Sequence, residues 1–325
     1  MKAIIPVAGH GTRLQPHTFS LPKPLIPVAG KPILDHVLAP LQSVAVDEVI
    51  FVVGVMADKI EKYITENSSF NARFVIQREL LGLGYAINMA MAHIEDEDSL
   101  LIVLGDTIVT TELDKLTSYG RHALGVRKVE DPTRFGIVEI ADGLVVGLEE
   151  KPEKPKTDLA LIGLYYLTEA RGLKKALAEL VESGKTTRGE VQLTDALAIM
   201  LEGGERFVPQ EVTDWYDCGK KETLIASNRH LLNQVGDSPQ IDGSVVRPPV
   251  YVAPDARVDG SVIGPHVSIG AGARVSGSVI SDSIIGDGAE VRDAILTESI
   301  LGPETNVVGF KSKLNIGKKS EAHLG

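Results

Sequence analysis

The sequence is poor in cysteine and in positive charge. One cysteine, Cys218, among 325 residues excludes a disulfide framework or a cysteine-ligated zinc site within the chain, and it favours a reducing compartment. The 33 lysines and arginines are outnumbered by 44 aspartates and glutamates, which gives a formal net charge of −11. Because nucleic-acid binding needs a basic surface, nucleic acid is not expected as the main partner. A small phosphorylated ligand held by a few local cations is compatible with this charge.

Long apolar runs are also missing from the sequence. No stretch approaches the ~20 apolar residues that a membrane-spanning helix needs, so a membrane partner is not expected. The first residues, MKAIIPVAGHG, contain no signal-peptide cleavage pattern. We therefore expect a cytoplasmic protein. Glycine is the residue in excess, with 32 in the chain, or about 10% against a usual ~7%.

Short apolar runs alternate with amphipathic stretches in the first two thirds of the chain. Strands are predicted at residues 2–7, 48–53, 73–76 and 100–104. Helices are predicted at residues 33–43, 57–67, 84–93, 173–183 and 191–201. This alternation predicts βαβ units and an α/β domain with a mainly parallel, buried sheet.

A repeat replaces this alternation from about residue 238 onward. Aliphatic residues recur there at steps of five or six, at Val252, Val258, Ile263, Ile269, Val275, Ile280, Ile285, Val291, Leu296, Leu301 and Val307. Glycine, aspartate, serine and proline fill the gaps. A hexapeptide period of this kind indicates a parallel β-helix whose aliphatic residues point into a stacked core. We therefore predict two domains, residues 1–234 and 235–325.

The first predicted strand leads into a glycine-containing loop, AGHGTRL at residues 8–14. Gly9 and Gly11 would let backbone N–H groups approach phosphates, while Arg13 and Lys23 supply positive charge. The loop lacks the Gly-Lys-Ser/Thr of a P-loop and the third glycine of the dinucleotide fingerprint. The glycines alone fit a plain turn equally well, and the two cations favour phosphate binding.

The loop is the first of several motifs that occur in a fixed order along the chain. After IPVAGHGTRLQPHTFSLPKPLIPVAGKPILDH come LGDT, FGIVE, EKP, GLYYL, RGEVQLTDAL and WYDCG. This series resembles the sugar-1-phosphate nucleotidylyltransferase family over residues 1–233, and most closely the long form of glucose-1-phosphate thymidylyltransferase. The resemblance implies a Rossmann-like, mainly parallel sheet in a nucleotidyltransferase domain. It also implies a short left-handed parallel β-helix behind that domain.

The resemblance implies a reaction in which a sugar 1-phosphate attacks the α-phosphorus of a nucleoside triphosphate and pyrophosphate leaves. The implied substrates are dTTP and glucose 1-phosphate. UTP stays open, because the loop AGHGTR is one residue shorter than the common GGxGTR and is similar to that of bacterial UTP–glucose-1-phosphate uridylyltransferases. Another pair of substrates, or a non-catalytic regulatory or assembly subunit, also stays open. A homo-oligomer is expected.

The resemblance assigns catalytic roles to Arg13, on the triphosphate, and to Lys23, beside the reacting phosphates. It implies that the nucleotide is bound by Ala8, Gly9, Gly11, Thr12, Arg13, Gln77, Gly82 and Asp106. Asp106 follows the most apolar predicted strand, at the end where α/β sheets bind ligands, and Asp217 of WYDCG is the second family carboxylate. Two carboxylates together with phosphate oxygens suit Mg²⁺, which is the expected cofactor.

The sugar phosphate has its own set of implied residues: Gly136, Glu150, Lys151, Gly163, Tyr165 and Arg188. A carboxylate suits sugar hydroxyls, and lysine and arginine suit a phosphate dianion. Alternatives remain open, because Lys151 lies in the charged segment EEKPEKPK and Tyr165 fits strand packing equally well. His266 lies within a hexapeptide, but a tail with eleven inward positions makes fewer than four coils, so acyl transfer is not expected.

Overall fold

The computed structural model describes residues 1–118, 120–234, 236 and 238–309. The chain divides into two compact units: unit 1 holds residues 1–27 and 31–227, and unit 2 holds residues 28–30 and the chain from residue 228 onward. Residues 310–325, the end of the predicted second domain, lie outside the described residues. No helix in the described part of the chain combines the length and apolar character needed to cross a membrane.

The first 234 residues form an α/β structure, as predicted. The strands are β1 (Lys2–Pro6), β2 (Pro27–Val28), β3 (Lys31–Pro32), β4 (Glu48–Val53), β5 (Ala72–Ile76), β6 (Leu100–Val103), β7 (Thr107–Thr110), β8 (His122–Lys128), β9 (Gly136–Ala141), β10 (Leu144–Glu150), β11 (Leu159–Leu167), β12 (Phe207–Glu211) and β13 (Asp214–Asp217). The helices are α1 (Ile33–Leu38), α2 (Ala57–Asn67), α3 (Leu83–Ala90), α4 (Leu113–Ser118), α5 (Arg171–Ser183), α6 (Leu193–Glu202) and α7 (Lys221–Gln234).

The main sheet has nine strands, with the path β10-β9-β11-β6-β1-β4-β5 and with β8 and β12 joined to β11. Strand β1 is parallel to both β4 and β6, and β4 is parallel to β5, whereas β11 runs antiparallel to β6. All six residues of β4 are buried, as expected for an aliphatic strand covered on both faces. The prediction of a mainly parallel, Rossmann-like sheet is confirmed.

Most predicted elements appear with small changes at their ends. Helix α2 spans the predicted residues 57–67. The helix predicted at 33–43 ends as an α-helix at Leu38 and continues as a 3-10 helix over Ala39–Ser43, because Pro40 has no N–H group to donate to the preceding turn. Helices α4 and α7 were not predicted; α7 reads KETLIASNRHLLNQ, in which polar residues interrupt the apolar period.

The second part of the chain is a short left-handed parallel β-helix, as predicted. Its strands are β14 (Val245–Val246), β15 (Val250–Val252), β16 (Arg257–Asp259), β17 (Val262–Ile263), β18 (Val267–Ile269), β19 (Arg274–Ser276), β20 (Val279–Ser281), β21 (Ile284–Ile285), β22 (Glu290–Arg292), β23 (Ile295–Thr297), β24 (Ile300–Leu301) and β25 (Asn306–Val308). They form three four-stranded sheets: face 1 (β14-β17-β20-β23), face 2 (β15-β18-β21-β24) and face 3 (β16-β19-β22-β25). The described residues thus make four coils, and the expectation of fewer than four was wrong because it did not count β14. All eleven aliphatic positions predicted to point inward belong to its core or pack against it.

Candidate active site

A cavity of about 400 Å³ opens at the carboxyl ends of β1 and β6. In open α/β sheets this edge is where ligands bind. Of the predicted site residues, it is lined by Ala8, Gly9, Lys23, Gln77, Gly82 and Asp106. Gly11, Thr12 and Arg13 lie in the loop that follows Gly9, outside the lining of the cavity. Leu80 and Glu190 also line the cavity, although they were not among the predicted site residues.

The loop that carries Gly11 packs directly against Lys23. Gly11 has φ +61°, and a Cβ atom added to it would lie 2.9 Å from Thr18 Cγ2 and 3.1 Å from Lys23 Cβ. The Thr18 hydroxyl donates a hydrogen bond to the Gly11 carbonyl oxygen over 3.0 Å. Glycine is therefore required here both for the left-handed backbone conformation and for the close approach to Lys23.

Lys23 and Asp106 form an ion pair inside the cavity. The Lys23 ammonium lies 2.6 Å from Asp106 Oδ2; the lysine side chain is 9% exposed and the aspartate side chain 40%. Burial raises the pKa of the Asp106 carboxyl, but the Lys23 ammonium, a hydrogen bond from Thr107 and the charge of Arg13 outweigh it, so that the pKa lies below its ordinary value. Asp106 is therefore a carboxylate at neutral pH and accessible to a ligand in the cavity.

A second strand pair brings Asp217 and Arg13 to the same region. Strand β13 pairs antiparallel with β7 and places Asp217 opposite Thr107, the residue after Asp106. A Cβ atom added to Gly219 would lie 2.7 Å from Asp217 Oδ1 and 3.0 Å from Arg13 Nη2. The structure thus brings to one region Arg13 and the two carboxylates, which the sequence places about 90 to 200 residues apart.

The carboxylate groups of Asp106 and Asp217 are suitable ligands for a magnesium ion. The described residues contain no cluster of three or more histidine, cysteine, aspartate or glutamate side chains. Mg²⁺, however, is commonly bound by one or two carboxylates while phosphate oxygens and water complete its coordination. Asp106 and Asp217 supply the oxygen donors that such an ion prefers, beside a cavity that can accept phosphates.

Several residues that were predicted to bind the sugar phosphate lie together at the start of β9 and the end of β10. Glu150, with a side chain 7% exposed, lies opposite Gly136 in this strand pair, and its Oε1 is 2.9 Å from Lys151 Nζ. Its Oε2 accepts a hydrogen bond from the Thr194 hydroxyl over 2.6 Å. A Cβ atom added to Gly136 would lie 2.5 Å from Thr194 Oγ1 and 2.9 Å from Glu150 Oε2. The absence of a side chain at this position leaves room for the carboxylate.

Thr194 belongs to this cluster but was not among the predicted site residues. It lies in the first turn of α6 and is 5% exposed. A signal was present, because a threonine on the buried face of the apolar helix LTDALAIML needs a hydrogen-bond partner. The partner, Glu150, is 44 residues away and cannot be identified from the local pattern.

The side chain of Arg188 is hydrogen-bonded to the backbone of Lys151. Arg188 Nη2 donates a hydrogen bond to the Lys151 carbonyl oxygen over 2.8 Å. Both residues have positive φ angles, +45° and +55°, which are uncommon for residues other than glycine. Backbone strain of this kind is concentrated at functional sites, where the surroundings hold it in place.

The last two residues that were predicted to bind the sugar phosphate lie on β11. Gly163 packs against Leu104, since an added Cβ atom would lie 2.6 Å from Leu104 Cγ. Tyr165 is 4% exposed and belongs to the hydrophobic core of unit 1. Burial, and after it the negative charge of Glu150, raise the pKa of the Tyr165 hydroxyl. Direct contact of these two residues with a sugar stays a prediction.

Two family profiles match the chain. The profile described as "Nucleotidyl transferase" matches residues 2–234, and the profile described as "GlmU-like, C-terminal hexapeptide" matches residues 229–319. Together they cover most of both predicted domains.

Individual proteins with similar sequences are also nucleotidyltransferases by name or contain such a domain in their matched part. "Bifunctional protein GlmU" of Methanococcus maripaludis is 37% identical over 238 residues, which are 72% of this chain and 55% of the relative. "Glucose-1-phosphate thymidylyltransferase" of Streptomyces antibioticus is 32% identical over 255 residues, 75% of this chain and 69% of the relative. The chain spans about half the length of the GlmU relatives that it matches. A solved UDP-glucose pyrophosphorylase complexed with UDP-glucose has the same fold, with a TM-score of 0.63, 24% identity and coverage of 72% of this chain and 98% of that one.

Proposed function

We propose that this chain, which belongs to the nucleotidyl transferase family, is a sugar-1-phosphate nucleotidylyltransferase. The observation that carries the proposal is the Lys23–Asp106 pair, 2.6 Å apart, in a cavity at the carboxyl ends of the parallel strands. A cation held there by a carboxylate is placed where two anionic substrates must meet. We also propose that residues 1–234 form the catalytic domain and residues 235–325 the β-helix domain, which the two profile matches support.

The proposed reaction is an in-line displacement. A phosphate oxygen of the sugar 1-phosphate forms a bond to the α-phosphorus of the nucleoside triphosphate, and the bond from that phosphorus to the oxygen of the β-phosphate breaks, so that pyrophosphate leaves. Lys23 stabilises the negative charge that the reacting phosphates share, and Arg13 holds the triphosphate. The protein has little covalent chemistry to perform, so positioning and electrostatics account for the catalysis.

A divalent metal ion is part of the proposal. Enzymes of this family generally use one, and in this chain Asp106 and Asp217 would hold it, with Mg²⁺ as the ion that two carboxylates and phosphate oxygens suit. When bound, it would neutralise phosphate charge. Lys23 and Arg13 reinforce that neutralisation from the protein side.

The sugar phosphate is proposed to bind at the cluster around Glu150. The buried carboxylate accepts hydrogen bonds from sugar hydroxyls, and Thr194 holds its Oε2 in position over 2.6 Å. Lys151 and Arg188 provide positive charge for the phosphate dianion. Gly136 leaves the space that the sugar ring and the carboxylate share.

For the substrates we propose dTTP and glucose 1-phosphate, with UTP as the second candidate nucleotide. Gln77 and Gly82, which line the cavity, are proposed to face the base, because a glutamine amide both donates and accepts hydrogen bonds as a pyrimidine edge requires. The similarity to a glucose-1-phosphate thymidylyltransferase at 32% identity supports dTTP, whereas the shorter loop AGHGTR favours UTP. The thymine methyl group changes binding by only ~1–3 kcal/mol. The single cysteine supports the cytoplasm as the proposed location.

The test is a matrix of nucleoside triphosphates against sugar 1-phosphates with Mg²⁺, in which pyrophosphate release is measured. We expect the highest kcat/KM for dTTP with glucose 1-phosphate and a lower value for UTP. A reaction mixture without the protein serves as the background. If no pair of substrates gives turnover above that background, the chain is a non-catalytic subunit and the proposal is wrong.

A further inference from the structure

Residues 187–190 form a tight turn that carries one charged residue toward each of the two proposed substrate sites. Thr187 and Glu190 exchange two backbone hydrogen bonds, over 2.9 and 3.2 Å. Between them, Arg188 and Gly189 have φ angles of +55° and +83°, and positive φ at both central residues is the mark of a type I′ turn. Arg188 donates to the backbone of Lys151 in the sugar-phosphate cluster, whereas Glu190 lines the cavity.

The backbone after this turn is fixed against the start of α3. The Val191 N–H donates to the Leu81 carbonyl oxygen, and the Gly84 N–H donates to the Val191 carbonyl oxygen, both over 2.8 Å. A Cβ atom added to Gly82 would lie 2.8 Å from the Cβ atom of Glu190. Glu190 is therefore held directly beside Gly82, at the wall of the cavity.

The carboxylate of Glu190 is itself held by a neighbouring amide. Gln192 is 5% exposed, and its Nε2 donates a hydrogen bond to Glu190 Oε2 over 2.9 Å. Within the part of the chain that the structure describes, Glu190 forms no ion pair and its Oε1 has no hydrogen-bond partner. Glu190 is exposed, and a carboxylate oxygen accepts hydrogen bonds readily. Oε1 is therefore available to a ligand in the cavity.

A carboxylate on the wall of a cavity that is proposed to take phosphates needs a partner in the ligand. Phosphate groups repel it, so Glu190 weakens substrate binding unless it accepts a hydrogen bond from the same substrate. The base is a poor partner, because the two carbonyl oxygens that flank the N–H group of uracil or thymine would lie beside the carboxylate. The amide of Gln77 suits that edge better; it is 4% exposed and its side chain has no hydrogen-bond partner among the described residues. The remaining donors of a nucleotide and a sugar phosphate are hydroxyl groups.

We propose that Glu190, held in position by Gln192, accepts a hydrogen bond from a substrate hydroxyl group and thereby discriminates against substrates that lack it. The inference rests on the proposed function. The hydroxyl belongs to the ribose of the nucleotide or to the hexose of the sugar phosphate, since the turn lies between the residues proposed for each. In this assignment Glu190 determines specificity and Gln192 is a positioning residue.

The first test measures dissociation constants by calorimetry with Mg²⁺, each ligand being given alone so that no turnover occurs. One series compares UTP with its 2′-deoxy and 3′-deoxy analogues, and the other compares glucose 1-phosphate with its 2-, 3-, 4- and 6-deoxy analogues. In the wild-type chain, loss of the accepted hydroxyl should weaken binding about 10- to 100-fold, as for a hydrogen bond to a charged group. In Glu190→Ala, the parent ligand and that analogue should bind within about twofold of each other. The series that shows this change identifies the ribose or the hexose, and the proposal is wrong if neither series does.

Glu79→Ala is the matched control for charge. Glu79 is an exposed carboxylate three residues before Gly82, and it is not part of the cavity lining. Its replacement removes the same charge and should leave the discrimination of the wild-type chain unchanged. If Glu79→Ala abolished the discrimination as Glu190→Ala does, the effect would come from net charge, and the assignment of Glu190 would be refuted.

The positioning role of Gln192 is tested with Gln192→Met, which keeps the length of the side chain and removes the donor to Glu190. We expect the parent ligand to bind more weakly, by at least about threefold, while the analogue without the hydroxyl binds as before. A merely structural role would weaken both ligands alike. Undiminished discrimination in Gln192→Met would overturn the positioning role.

These binding measurements separate the inference from the proposed function. If discrimination depends on Glu190 but no pair of substrates gives turnover, the proposed function fails and the assignment of Glu190 stands. If the chain turns over its substrates and Glu190→Ala keeps the full discrimination, the assignment fails and the proposed function stands.

Discussion

At the residue scale, the proposed chemistry depends most on Lys23. This lysine is held in a 3-10 turn between Pro22 and Pro24, and its ammonium reaches an aspartate 83 residues away. Two flanking prolines limit the backbone conformations of the segment. The side chain is thereby kept in position before substrates bind.

Replacement of Lys23 by alanine should lower turnover much more than nucleotide affinity. Its charge matters most when the phosphates react, so we expect kcat to fall about 10²–10³-fold, with a smaller change in the dissociation constant of the nucleotide measured by calorimetry. Lys62→Ala, at an exposed surface lysine with 74% exposure, is the control. A kcat close to the wild-type value in Lys23→Ala would refute the role.

The Lys23–Asp106 ion pair makes the stability of the fold depend on pH. The pKa of Asp106 is lowered in the folded state. Its ionised form therefore stabilises the fold at pH values above the ordinary pKa of 3.8, and this stabilisation is lost as the pH falls through the lowered pKa. In Lys23→Met, burial remains while the largest opposing interaction is removed. We expect an NMR titration of the Asp106 carboxyl to give a higher pKa in this variant. An unchanged pKa would show that Lys23 does not set it.

Gly136 gives a second residue-scale prediction. Gly136→Ala should raise KM for the sugar phosphate, because the new methyl group would displace Glu150 Oε2 and Thr194 Oγ1, at 2.9 and 2.5 Å from its position. Overpacking of this kind also destabilises by ~1–3 kcal/mol. The control is Gly143→Ala, where no atom lies within 4 Å but φ is +75°. It should lower stability and leave KM unchanged, and equal KM values for the two variants would contradict the prediction.

At the element scale, the β-helix is held together by serine hydroxyls at its corners as well as by its core. The Ser278 hydroxyl donates to the Ser276 carbonyl oxygen over 2.8 Å and accepts from the Ala294 N–H over 3.1 Å. Ser261 repeats the arrangement one coil earlier, where its hydroxyl accepts from the Ser278 N–H. Each such serine satisfies a backbone donor of the next coil that would otherwise be buried without a partner.

Ser278→Ala should therefore destabilise the β-helix. Ser278 is 1% exposed, and its loss leaves the Ala294 N–H without an acceptor, which costs ~1–3 kcal/mol. Ser281→Ala, at a residue whose hydroxyl donates a hydrogen bond to the exposed Thr297, should change stability little. Urea unfolding followed by circular dichroism measures both, and equal midpoints for the two variants would contradict the role of the corner serines.

Element prediction from the sequence succeeded where a period was strong and failed where it was interrupted. The run EVIFVV predicts a buried strand, and residues 57–67 predict an amphipathic helix; both appear with the predicted ends. Helix α7 was missed because its apolar residues are separated by polar ones that bind neighbouring elements, such as Asn228. Local periodicity does not report contacts that a polar side chain makes with distant residues.

At the scale of the whole molecule, the proposed catalytic residues all belong to unit 1. Deletion of residues 236–325 should consequently alter assembly or stability more than chemistry. We expect a lower melting temperature and loss of self-association in light scattering, with kcat per chain close to the full-length value. A truncated chain with the same oligomeric state and the same melting temperature would contradict this.

The sequence by itself determined the fold class and the inward positions of the β-helix, because both follow from short periods of apolar residues that each segment carries locally. The family motifs also identified the candidate residues of the site, although their roles remain predictions. Only the tertiary structure decided which of them meet: Lys23 with Asp106, and Glu150 with Thr194.

The same distinction applies to the surface of the β-helix. Ile284 and Ile295 occupy equivalent outward positions in a repeating sequence, yet one is 2% and the other 84% exposed. On face 2, Asn228, which also binds Ala29, accepts a hydrogen bond from Ser268, the residue aligned with Ile284. Side-chain pairing and exposure depend on how distant elements pack, and that packing was decided only by the folded structure.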